Sequence, residues 1–327
     1  MHYPLGTTIP LGGTPFKVVK DTRLAGGVVL QAGDVFARLG DRELTLAEEV
    51  HTKSLKQRGF PVPIVLGHGT LPDGSYYFTE SSVGSSTFHE RFKQDYQALG
   101  SVQDATYSKY YSLMQSYAAV QFQPSNRVTI SARDFVETLI PNEQVLDNYS
   151  YFGHNTEDYL QSRQQAIHNL EDAAMGILQF DLNPYNVLEH GIIDFELVGY
   201  GPLGYDIMMS ARWGGTWFTA YPSRYPLAYR LSEAQIIASD RLLDDIATQH
   251  NVAPPSIYLQ EFLFLKTAWA LSEFDTPSPD WPADKLAFRH FRANLLHAAT
   301  DAFLAGKPIP YQAFSTIPSG QFKVSKR

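Results

Sequence analysis

The segment that most restricts how this chain can fold runs from Ile177 to Leu188, Ile-Leu-Gln-Phe-Asp-Leu-Asn-Pro-Tyr-Asn-Val-Leu, and is followed at once by Ile192-Ile193-Asp194-Phe195-Glu196. Short apolar runs of this length, bounded by Asn, Pro and Gly, read as buried strands. Asp181, Asn186 and Asp194 fall within fourteen positions and lie at the ends of those runs or between them. Two strands joined by a tight loop therefore bring two carboxylates and an amide together. Asp, Asn and Pro are also turn formers, so Asp181-Leu182-Asn183-Pro184 has a plainer reading as a connection.

That spacing resembles the catalytic loop and metal-binding strand of the aminoglycoside phosphotransferase and choline kinase-like family, H-G-D-x-x-x-x-N followed by I-D-F/W-E/G. The resemblance continues into Gly199-Tyr200-Gly201-Pro202-Leu203-Gly204-Tyr205-Asp206. It implies an α+β, two-lobed protein-kinase-like fold, with a small N-terminal antiparallel β lobe carrying one helix and a larger, mainly helical C-terminal lobe. It also implies ATP, with GTP as the alternative nucleotide, Mg²⁺, and a small-molecule hydroxyl as phosphate acceptor. Phosphoryl transfer asks a protein chiefly for positioning and charge neutralisation. Asp181 would accept or orient the acceptor hydroxyl, and Asn186 and Asp194 would supply hard oxygen ligands to the metal. Gln179 stands where the family has histidine and would support the loop by hydrogen bonds. Asp206 would brace the loop from behind.

Upstream, residues 16–20, 28–31 and 35–39 read as a three-stranded meander. In the family the first hairpin covers the nucleotide, and Gly26 and Gly27 would admit backbone N–H groups close to phosphates. Arg38 occupies the place of the family lysine that neutralises the phosphates; as a bare sequence feature it is equally a solvated strand-edge charge. Arginine keeps the charge but presents a planar fork, so the exchange is not conservative. Residues 44–58 suit an amphipathic helix with Leu44, Ala47, Val50 or His51, and Leu55 inward. The resemblance makes Glu49 the partner of Arg38, or Glu48 if the loop is one residue longer. Glu49 can equally pair with Lys53 along the helix. Residues 64–67 and 75–79 form another hairpin, and Glu80-Ser81-Ser82-Val83-Gly84 resembles the interlobe hinge, with Glu80 and Ser82 offering backbone to the base. The expected division is 1–82, a nucleotide-covering lobe; 83–312, the helical lobe with the acceptor pocket; and 313–327, a tail.

Helices are expected over 105–122, capped by Asp104, over 127–140 and 156–174, over 232–250 from a Ser232 capping box, from 255 or 256 to 274, and over 283–305. Glu261, Glu273 and Asp275 are candidates for a cationic acceptor. Gly199-x-Gly201-x-x-Gly204 matches a dinucleotide fingerprint, but Pro202 and the Gly- and Pro-rich stretch after it do not suit a βαβ unit.

Composition excludes other chemistries. With no cysteine there are no disulfides, thiolate metal sites or cysteine nucleophiles. A net charge of −8 without a Lys/Arg block gives no footprint for nucleic acid or an anionic membrane. The N-terminus lacks the basic and apolar segments of a signal peptide, and no apolar run spans a bilayer, so a cytoplasmic protein is expected. The ten histidines show no zinc spacing. Two other readings of the central acids are a pseudokinase, suggested by Arg38 and Gln179, and a hydrolase pairing Asp181 with Asp194 or Glu196.

Overall fold

A computed structural model describes residues 3–22, 27–216, 229–272, 278 and 280–312. Gly26, Glu273, Asp275 and the 313–327 segment lie outside the described residues.

The N-terminal part is a six-stranded antiparallel sheet made of β1 (Thr8–Leu11), β2 (Thr14–Thr22), β3 (Gly27–Ala32), β4 (Val35–Gly40), β5 (Val65–Thr70) and β6 (Tyr76–Ser81), in the order β1-β2-β3-β4-β6-β5. It contains the expected meander and hairpin, plus β1, whose Pro10 hides a strand from a pattern reading. Alternation sorts the two faces. Phe16, Val18, Val28, Leu30, Ala37 and Leu39 pack together as one apolar cluster. The other face carries Arg38, opposite Phe78, and Phe36, opposite Glu80.

Helix α1 (Arg42–Gln57) is started by Asp41, whose carboxylate accepts from the N–H groups of Glu43 and Leu44 at 2.9 and 3.1 Å. Its buried positions are Thr45, Glu48, Glu49, Thr52 and Leu55. Of the positions expected inward, Leu55 is buried, whereas Leu44 and Ala47 are exposed, and of the alternatives Val50 and His51 the valine is 55% exposed and the histidine half-buried. The helix has turned a polar face to the sheet because the sheet presents a guanidinium there.

The remainder is largely helical. It comprises α2 (Phe88–Leu99), α3 (Asp104–Gln121), α4 (Ala132–Leu139), α5 (Asn142–Tyr151), α6 (Thr156–Asn169), α7 (Tyr205–Thr216), α8 (Glu233–Gln249), α9 (Leu259–Ser272) and α10 (Ala283–Leu304). Short strands β7 (Arg127–Val128), β8 (Met175–Gln179) and β11 (Val198–Pro202) form one sheet in the order β11-β8-β7, and β9 (Val187–Leu188) pairs with β10 (Gly191–Ile192). Several boundaries differ from expectation. The 127–140 helix is instead β7 and then α4, begun by a Ser131/Asp134 capping box. Asp104 sits inside the first turn of α3, and the cap position is Gln103 with no side-chain bond. The helix expected over 156–174 stops at Asn169 to let the chain enter β8. Ser232 does cap α8 through a box with Gln235.

Helix α9 is buried from Glu261 to Ser272 and forms the centre of the helical part. Glu261 is enclosed rather than solvated, accepting from Asn169 Nδ2 at 2.6 Å. The Gly199/Gly201 pair lies in strand β11, where added Cβ atoms would meet the rings of Phe180 and Phe135 at 2.5 Å. Those glycines serve ring packing, not a dinucleotide. No helix among the described residues is long and apolar enough to cross a membrane.

Candidate active site

Strand β8 delivers the loop. Gln179 ends the strand, and Leu182 N–H donates back to the Gln179 carbonyl at 3.0 Å, turning the chain at Asp181. Asn183 then fixes the turn from inside. Its amide nitrogen donates to Asp181 Oδ1 at 2.8 Å, and its carbonyl oxygen accepts from Tyr185 N–H at 2.9 Å. Asp181-Leu182-Asn183-Pro184 is therefore a turn, and it fixes the direction of the Asp181 carboxylate. Asn186 Nδ2 donates to the Asp181 carbonyl at 3.0 Å and approaches Oδ2 at 3.4 Å. Ile193 N–H donates to the Asn186 carbonyl at 2.9 Å, so Asp194 is referenced to the same loop. Asp181, Asn186 and Asp194 are thus joined by one continuous hydrogen-bonded network.

Two further residues hold it. Gln179 Nε2 donates to the carbonyls of Ile193 and Asp194, at 2.9 and 2.5 Å. A neutral amide thus ties the end of β8 to the 193–194 segment. Asp206, in the first turn of α7, accepts from Tyr117 Oη at 2.7 Å, Gln121 Nε2 at 3.1 Å, Ile207 N–H at 3.0 Å and Gln179 N–H at 3.2 Å. Complete burial pushes its pKa up to about 6 even against those donors.

Asp194 has φ of 69°, a left-handed conformation that a non-glycine residue adopts only when its surroundings hold it there. Burial raises the Asp181 pKa, while Lys266 and the Asn183 bond act to lower it. Lys266 escaped the sequence reading. It is a lone cation in the apolar run of α9, buried, with Nζ donating to the Phe180 carbonyl at 3.2 Å and lying 3.3 Å from the Trp269 ring centroid.

Arg38 reaches the site from the sheet. Its Nε lies 3.4 Å from Glu80 Oε1 and 3.6 Å from Glu48 Oε1, and Nη1 lies 3.9 Å from Asp194 Oδ1. Burial opposes its charge, but Glu48, Glu80 and Asp194 outweigh that and raise its pKa. Burial also lifts Glu48 to about 7 and raises Glu80, in each case against the pull of Arg38.

Helix α1 thus turns Glu48, not Glu49, toward Arg38. Adjacent helical residues point about 100° apart, and Glu49 faces Lys53, His68 Nδ1 at 2.8 Å and Tyr76 Oη at 2.5 Å. Glu80 is a β6 residue with a buried side chain, so its contribution is not backbone alone. Ser82 follows the strand; its N–H donates to the Asp34 carbonyl and its hydroxyl to the Gly84 carbonyl. Gly27 approaches the next strand closely: a Cβ would lie 2.9 Å from the Leu39 carbonyl. With Arg38, Glu48, His51 and Glu196 it lines a cavity of about 360 Å³.

The donor set fits a hard cation. Asn186 directs its amide nitrogen at Asp181, so its side-chain oxygen and the Asp194 carboxylate are the hard oxygen donors this segment would offer a cation. Among the described residues no three His, Cys, Asp or Glu side chains form a metal cage.

No protein-family model and no curated protein matches this sequence. Solved structures do match in fold. A choline/ethanolamine kinase family protein from Mesorhizobium loti aligns with 14% identity over 92% of this chain and 91% of that one, with a TM-score of 0.52. A thermostable mutant of aminoglycoside phosphotransferase APH(4)-Ia, in ternary complex with AMP-PNP and hygromycin B, aligns with 13% identity over 87% and 93%, with a TM-score of 0.51. The architecture is the two-lobed kinase-like fold, an antiparallel sheet lobe joined to a larger helical lobe. Within it, this chain has the fold of the aminoglycoside phosphotransferases and choline kinase-like proteins.

Proposed function

We propose that the protein is an ATP- and Mg²⁺-dependent phosphotransferase that moves the γ-phosphate to a hydroxyl of a small molecule. The observation that carries this is the network joining Asp181, Asn186 and Asp194, with Asp194 held at φ 69°. Strain of that kind, of order 1–3 kcal/mol, persists where the surroundings over-determine it and clusters at functional sites.

In this reading Asp181 orients the acceptor hydroxyl and receives its proton as the oxygen attacks. Its carboxylate keeps a fixed direction because Asn183 and Asn186 both donate to it. The Asn186 carbonyl oxygen and the Asp194 carboxylate would hold Mg²⁺, which neutralises charge on the phosphate oxygens. Arg38 supplies a second positive charge from the sheet side. Residues 1–82 would cover the nucleotide and 83–312 would hold the acceptor, with the base against the backbone near Ser82.

The test is calorimetric titration with MgATP, followed by ADP release in the presence of pooled small alcohols. Asp181→Asn is expected to lose turnover by ~10²-fold or more, the scale of general base catalysis, while binding MgATP as the unmodified protein does. Failure of the unmodified protein to bind MgATP, or full turnover by the variant, would falsify the reading.

A further inference from the structure

The Glu80 side chain has no part in the family pattern, yet it is buried in the same cluster as Arg38. Its direction is set by strand register. Glu80 in β6 lies opposite Phe36 in β4, and Arg38 is two residues further along β4, so the two side chains are diagonal neighbours on one face of the sheet. Glu48 comes to the same nitrogen from α1. Two carboxylates on independent elements therefore meet Arg38 Nε, at 3.4 and 3.6 Å, while Nη1 projects on toward Asp194.

In a lysine the atom in the place of Nε is a methylene with no donor, and the ammonium one bond beyond is the only charged group. Arginine separates the tasks, with Nε–H facing the acids and the outer N–H groups left to serve phosphate.

We propose that Glu80 is a positioning residue which, with Glu48, grips Arg38 at Nε and so presents its outer nitrogens to the nucleotide phosphates. The site is built for arginine: a lysine at position 38 would be drawn back by the same two acids. This rests on the reading that nucleotide phosphates lie in this cleft. It differs from a purely repulsive role, in which the Glu80 charge weakens phosphate binding whatever occupies position 38.

The experiment is calorimetric titration of Mg²⁺·AMP-PNP into the full chain and its E80Q, E80D, R38K and R38K/E80Q variants, with thermal melts to verify folding. E80Q is expected to weaken binding about tenfold, the worth of one charged hydrogen bond. R38K is expected to weaken it by a similar factor. Adding E80Q to R38K should recover about threefold or more, because the ammonium is released from one competing acid; the sign of the Glu80 effect reverses with the residue at 38. E80D keeps the charge but shortens the reach, and should lose affinity as E80Q does, whereas simple repulsion predicts no change. An E80Q effect of the same sign in both backgrounds, or E80D binding like the unmodified protein, overturns the proposal. Absence of binding by the unmodified protein would instead refute the nucleotide reading itself, and the first titration separates the two outcomes.

Discussion

Replacing Asp206 by Asn tests the brace behind the loop through a quantity that simple loss of packing does not imitate, the pH dependence of the stability difference. Asp206 Oδ1 accepts from Ile207 N–H and Gln121, and Oδ2 from Tyr117 Oη and Gln179 N–H. Asn retains one acceptor oxygen and sets an NH₂ against the donors of the other. Two buried donors lose their acceptor, at about 1–3 kcal/mol each. Against this, burial has raised the acid from 3.8 to about 6, so holding it ionised costs about 3 kcal/mol at neutral pH. The folded-state value is the higher one. The contribution of the protonated acid is therefore fully present below pH 3.8 and is lost as pH rises through about 6. Asn does not titrate, so the penalty of Asp206→Asn is largest in acid and shrinks by about 2 kcal/mol between about pH 4.5 and about pH 7.5. Urea unfolding of both proteins across that range measures it, because all other titrations cancel in the difference. A stability difference constant to within about 0.5 kcal/mol would refute the buried, ionised brace.

Three further outcomes follow from the site. At position 194, with φ of 69°, glycine should be more stable than alanine by about 1 kcal/mol, read from urea midpoints, while both variants lose Mg²⁺-dependent nucleotide binding. Lys266→Met removes a cation that favours ionised Asp181, so the acid limb of the activity profile should move to higher pH; an unmoved limb would show that Lys266 acts only through packing. Glu48→Gln should weaken MgATP binding, whereas Glu49→Gln should leave it within about twofold and lower only the melting temperature, because the ion pair of Glu49 is with partly exposed Lys53.

The candidate site around Asp181 was legible because its determinants are local. Asp181, Asn183, Asn186 and Asp194 are close in sequence, and the bonds among them follow from the turn they make. Lys266 meets Phe180 across more than eighty positions, and Glu80 meets Arg38 only through sheet register, so neither pairing has a sequence-local signal. Helix α2 has a Thr87/Glu90 capping box that a close reading could have found. Helix α5 begins just after Pro141, which has no side chain able to cap it, and offers little to find.

Helix α1 shows a deeper cause. Hydrophobic periodicity locates the face of a helix that meets an apolar core; in α1 it places Leu55 correctly, but it also points to Leu44 and Ala47, which are exposed, and to Val50 or His51, of which only His51 is half-buried, and away from Glu48 and Glu49, which are 7% and 2% exposed. The helix packs against a sheet face that carries a buried guanidinium, so burial there follows charge. A buried acid is tolerated only when paired; Glu48 and Glu80 face Arg38, and Glu49 has Lys53, His68 and Tyr76. The departure from the apolar pattern along α1 is therefore itself a marker: a helix that leaves Leu44 and Val50 exposed while enclosing Glu48 and Glu49 is built around charge, and the cation that Glu48 meets, Arg38, points at Asp194.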